Sequence, residues 1–160
     1  MKKVLMDVIC NKKICKLVLL VYIGLLSYFV IFKLYLPKEN VIFARELILR
    51  NRAAGYYNVN FIPFKSIRAY INPTLGINYI NLLGNTLPFI FLGVLTAIQK
   101  DNKTNVAKLL LFNILLIVGF EIMQFVTCVG VLDIDDIILN SISCYIGIIV
   151  YVKAIGKLEK

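Results

Sequence analysis

Glu121 is the single acidic residue of an otherwise apolar run, about Ala107 to Thr127, which it shares with Asn113 and Gln124. At 100° per residue these three fall within an arc of roughly 80°, one face of a helix. Asp133, Asp135 and Asp136 follow, then Asn140, while Asn85 lies in an earlier apolar stretch. Carboxylate oxygens are the ligands a hard divalent cation requires. Glu121, Asp133, Asp135 and Asp136 are therefore the candidate metal ligands. Arg50, Arg52 and Lys65 carry charge suited to a phosphate or another anion. That combination suits a membrane enzyme acting on an isoprenoid phosphate or a phospholipid headgroup. Plainer roles suit the same residues. Aspartates cap a helix start, where they accept free N–H groups and oppose the dipole. Asparagines hold helices together, and arginines face headgroups.

Other chemistry is removed by composition. The chain has no His, which excludes Ser-His-Asp and Cys-His catalysis and HExxH metal sites. Cys10, Cys15, Cys128 and Cys144 form no CxxC pair and suggest no zinc site. Of 160 residues 60% are hydrophobic and 17% charged, against about 25% charged in a soluble domain. Mean hydropathy is +0.83. A soluble enzyme is excluded, and so is disorder. The formal charge of +9 comes from scattered lysines and arginines with no nucleic-acid-binding motif, so no nucleic-acid partner is expected.

The elements that must position these residues are spanning helices, each needing about 20 apolar residues. Four are expected, at about 17–36, 77–98, 107–127 and 136–152, giving an all-α polytopic membrane bundle in a single domain. The basic lead reaches Lys16 with no cleavage site after the apolar run, so the first span reads as a retained anchor. Four spans place both termini on one side, with eleven basic residues against Asp7, Asp101 and Glu159. Both termini are expected in the cytoplasm. The loop at about 37–76 is then extracytoplasmic. Its VIFARELILR stretch has the pattern of an interfacial amphipathic helix, so an ordered cap is expected. Tyr35, Tyr70 and Tyr79 would line the outer interface in the absence of Trp.

Within the second span Asn78, Asn81 and Asn85 share a stripe, and Pro88 should kink the helix at the freed Gly84 carbonyl. Gly93 and Ala97 are spaced for close helix contact. In the fourth, Asp136, Asn140, Ser143 and Gly147 stack as a small, polar seam. Asn85, Glu121, Gln124, Asp133, Asp136 and Asn140 all fall towards the outer ends of their helices. A polar pocket facing the outer leaflet is expected, roofed by the basic loop.

The order of Asn60-Phe-Ile-Pro-Phe-Lys-Ser-Ile67, then Asn85 with Phe89 and Gly93, then Glu121-Ile-Met-Gln124, then Asp133-Ile-Asp-Asp136 with Asn140 resembles the VanZ-like family. Its namesake is a membrane protein linked to teicoplanin resistance. The resemblance covers about Asn60 to Gly147. By it, Asn85, Glu121, Gln124, Asp133, Asp136 and Asn140 are signature polar positions. Two departures stand out: Phe91 where members often carry Pro, and Ser143 where they often carry Gly. The resemblance implies an envelope protein that lowers susceptibility to teicoplanin-type glycopeptides. Its partners would be the lipid bilayer and a lipid-linked envelope precursor or phospholipid headgroup. No cofactor follows from it, a divalent cation being the one candidate. Binding protein, enzyme and ion-coupled carrier all stand at this point, although the inner half lacks the polar residues of a through-pathway.

Overall fold

The computed structural model describes residues 11–32, 38–71, 79–99 and 105–158. Tyr35, Asn78, Cys10, Asp7, Asp101 and Glu159, all named above, lie outside them, as do five of the eleven basic residues, Lys2, Lys3, Lys100, Lys103 and Lys160. The fold is all-α. Helix α1 spans Lys12–Phe32 and α2 Lys38–Ala53. Strand β1 (Val59–Asn60) leads to α3 (Lys65–Tyr70), and α4 (Tyr79–Gly84) to α5 (Leu87–Ile98). Helix α6 (Val106–Thr127), strand β2 (Leu132–Asp133) and α7 (Ile134–Leu158) complete the order.

Three helices are long and apolar enough to cross a membrane: Lys12–Ile31, Val106–Thr127 and Ile134–Ala154. Where the second span was expected at 77–98, a shorter apolar segment occupies Leu82–Ile98. A turn at Asn85 and Thr86 interrupts it. Pro88 is the reason. It sits in the first turn of α5, where its missing N–H costs nothing, and it cannot extend α4. The expected kink is thus a break, with the Thr86 hydroxyl donating to the Leu82 carbonyl at 2.8 Å.

Helices α1, α5, α6 and α7 pack together. Phe89 and Phe120 meet with ring centroids 6.4 Å apart in a core shared with Leu26, Leu92 and Ile117. Much of the outward surface is apolar too: Leu17, Leu20, Val21 and Leu25 of α1 are all exposed, as lipid-facing positions require. Helix α2 buries no residue at all, and Ile42, Phe43, Leu47 and Leu49 stand exposed beside its charges.

The closest approach joins α5 to α7. A Cβ on Gly93 would lie 2.1 Å from the Cys144 carbonyl oxygen, and one on Gly147 would lie 2.1 Å from that of Ile90. Each glycine thus admits the opposite backbone, as the small-residue spacing implied. Lower down, the Asn113 amide donates to the Thr96 hydroxyl at 3.0 Å, with both residues buried. Gly93→Ala is expected to cost about 1–3 kcal/mol, read as a lower thermal midpoint in detergent. Gly24→Ala, where an added Cβ meets nothing within 4 Å, should leave the midpoint in place. Equal midpoints for the two variants would contradict the close crossing.

Candidate functional site

The acidic residues gather where α6 ends and α7 begins. Cys128 ends α6 in the left-handed conformation at φ 55°, and the amides of Val129 and Gly130 close back on the Gln124 carbonyl. The chain then runs through β2, which pairs in parallel with β1: Val59 opposite Leu132 and Asn60 opposite Asp133. Helix α7 starts on the next residue.

Each aspartate of this segment has a separate job, because neighbours in a helix's first turn diverge by about 100°. Asp133 stands at the N-cap of α7, and its Oδ1 accepts from the Asp135 amide at 2.9 Å. The same oxygen accepts from Asn60 Nδ2 at 3.0 Å, and Oδ2 accepts from the Ser66 hydroxyl. Asp135, wholly buried, caps a different helix. It accepts from the amides of Phe64 (2.5 Å), Ser66 (2.7 Å) and Ile67 (3.3 Å). These are orphan donors at the start of α3, whose own N-cap Phe64 has no capping side chain. Asp136 Oδ1 accepts from Asn85 Nδ2 at 2.6 Å and from the Tyr70 hydroxyl at 3.3 Å. Glu121, 2% exposed, accepts from the Asp133 amide at 3.2 Å, beside the positive end of the α7 dipole.

The basic residues divide in the same way. Arg52 donates through Nε to Asn58 Oδ1 at 2.8 Å and through Nη2 to the Phe125 carbonyl. Its guanidinium also lies 4.4 Å from the centre of the Phe125 ring. This fastens α2 to the end of α6, where a cation suits the last carbonyls. Arg50 is exposed. Lys65 alone of the three lines a hollow of about 550 Å³ between α2, β1, α3 and the start of α7. That volume suits a small ligand or a headgroup. Asp133 and Asp136 form part of its wall, with Asn51, Asn58, Asn60, Ser66 and Tyr70.

Of the six expected pocket residues, Asp133 and Asp136 face the cavity. Asn85 and Glu121 stand behind them through the bonds above. Gln124 turns elsewhere and donates to the Val30 carbonyl at 2.9 Å, tying α6 to α1. Asn140 is buried, with its Oδ1 unpaired among the described residues. Asn113, Glu121 and Gln124 do share one buried face of α6. Among the described residues, no three His, Cys, Asp or Glu side chains come together as metal ligands, since Asp133, Asp135 and Asp136 each turn to different donors. Asn51, Asn58 and Ser66 were not singled out as pocket residues, although Ser66 lay inside the Asn60–Ile67 motif. Tyr70, expected at an interface, turns its hydroxyl to Asp136 instead.

A family model described as VanZ/LLP1 matches residues 19–156. No curated protein and no solved structure matches the chain. Asp135→Ala is expected to leave the Phe64, Ser66 and Ile67 amides without their acceptor, at roughly 1–3 kcal/mol each if they stay buried. Hydrogen exchange at those three amides should accelerate while α6 keeps its protection. Unchanged exchange there would contradict the cap.

Proposed function

We propose, for a chain that belongs to the VanZ/LLP1 family, a role in the bacterial envelope: lowering susceptibility to teicoplanin-type glycopeptides by binding a lipid-linked surface component. The observation that carries this reading is the cavity of about 550 Å³ walled by Asp133, Asp136 and Lys65. In this reading the protein crosses the cytoplasmic membrane four times, with both termini inside and the Asp133 end outward. The segment Leu82–Ile98 serves as the remaining, second pass. Its 17 residues measure about 26 Å as helix, close to a hydrocarbon core of about 30 Å. The concentration of lysines near both chain ends supports this orientation.

The cavity then faces the outer leaflet, and α2 lies over it. The exposed apolar side chains of α2 suit the interface between headgroups and acyl chains. Occupancy by an envelope component would alter how much of the antibiotic's target is accessible at the surface. Side-chain amides, hydroxyls and backbone N–H groups donate to the carboxylate oxygens on its wall.

The test is teicoplanin and vancomycin susceptibility of a sensitive bacterial host with and without the chain. Selective protection against teicoplanin is expected. Glu121→Ala and Asp136→Ala, matched for membrane abundance, should return the host to its baseline. Full protection by both variants would refute the pocket's part in it, and no protection by the parent chain would refute the resistance role.

A further inference from the structure

Phe61, Ile62, Pro63 and Phe64 stand exposed one after another between β1 and α3. The three large side chains among them are 54% to 64% open. A loop bathed in water carries polar side chains, and a contiguous run of exposed apolar ones marks a contact surface. None of the four lines the polar cavity. Phe64 adds a second sign. Its backbone is left-handed, at φ 65° and ψ 7°, a conformation that bulky residues seldom take and that Gly or Asn takes readily. With more than half of the residue exposed, packing inside the protein offsets little of that strain. The ring is presented to something outside the chain.

The depth of the tip identifies the contact. The Phe64 amide donates to Asp135 Oδ1 at 2.5 Å, and Asp135 is the second residue of Ile134–Ala154, a segment long and apolar enough to cross a membrane. Asn60, just before the tip, lies opposite Asp133. Val126, near the end of the Val106–Thr127 segment, is exposed and apolar, so lipid-facing surface reaches this level. The tip therefore lies level with the border between headgroups and acyl chains, where spans of this length end.

Its backbone suits that border. A loop that leaves water must satisfy its N–H groups internally, because acyl chains offer no acceptor, whereas a protein partner could supply its own. Ile62 donates to Asn60 Oδ1 at 3.4 Å, Pro63 has no N–H, Phe64 donates to Asp135, and Lys65 donates to the Ile62 carbonyl at 3.4 Å. Charge agrees. From Asn51 to Ile71 the chain carries Arg52, Lys65 and Arg68 and no acidic residue. Lys65 and Arg68 are exposed, as cations facing anionic headgroups would be. Tyr56 and Tyr57, exposed on the same loop, are side chains typical of that border.

We infer that Phe61-Ile62-Pro63-Phe64 is a membrane wedge, its side chains inserted at the headgroup–acyl border of the same bilayer that the long helices cross. The wedge depends on those helices alone, not on the cavity or on antibiotic resistance.

The chain has no Trp, so a single introduced Trp reports its own surroundings. Phe61→Trp and Ile62→Trp are made separately in the full chain; both positions are exposed, so neither change removes a packed side chain. Each is reconstituted in phosphatidylcholine–phosphatidylglycerol vesicles whose chains carry bromine either near the headgroup or near the methyl end. Leu115→Trp, at an exposed position in the middle of α6, marks the bilayer interior. Interfacial side chains reach about 5–10 Å into the boundary, so shallow bromine should quench the tip tryptophans about twofold more than deep bromine does. The order should reverse for Leu115→Trp, and aqueous iodide should leave all three bright. Strong iodide quenching at the tip would put it in water and overturn the inference. Tip tryptophans quenched by neither bromine nor iodide would be covered by protein, a second copy or a partner, and would overturn it equally.

Discussion

A carboxylate with no solvent exposure at the end of an apolar bundle is costly, by several kcal/mol even after relaxation, unless donors surround it. Asp135 is such a group, and its donors are three backbone amides some seventy residues earlier in the chain. The reverse dependence is as strong. Helix α3 has only six residues, too few to persist alone in water, and its first N–H groups have no side-chain cap of their own. Each half solves the other's problem. The segment from Phe61 onward is thereby held on the bundle, and the remaining geometry of that end follows from this attachment.

Once α3 is seated, Ser66 and Asn60 reach Asp133, which Glu121 holds from beneath through its amide. Tyr70, at the far end of α3, reaches Asp136. Arg52 fastens α2 to the last carbonyls of α6 by a hydrogen bond and by stacking on Phe125. The acids therefore serve two purposes: they satisfy helix ends and they form the wall of a cavity. Beneath this end the bundle relies on close backbone contact at Gly93 and Gly147 and on apolar packing. The polar work and the packing are separated along the helices.

Periodicity made part of this legible. The buried face of α6 with Asn113, Glu121 and Gln124 was readable from spacing alone, as were the close-contact glycines and an α2 with exposed apolar and charged side chains. Helix capping and pocket formation stood as alternatives for the aspartates, and Asp133 does both. Which aspartate meets which partner on β1, on α3 or at Asn85 was beyond reach, because those partners of Asp133, Asp135 and Asp136 lie 51 to 73 residues away. Spacing likewise placed Pro88 as a kink where a two-residue break occurs. A missing N–H demands interruption of the hydrogen-bond ladder, but neighbouring helices decide its extent. Arg52 read as an anion contact by charge, whereas its reach to the Phe125 carbonyl depends on where α2 comes to lie.

The central claim is that the segment after α2 is docked on the aspartate segment, with β1 beside β2. Its most direct test is a disulfide between Val59→Cys and Leu132→Cys, which face each other across the strand pair. The pair is introduced into the full chain in membranes, with its native cysteines replaced by serine. Rapid oxidation of this pair is predicted, with little for Val59→Cys combined with Val126→Cys, at an exposed position on α6. Failure of the 59–132 pair to close, or equal closure of both pairs, would contradict the account.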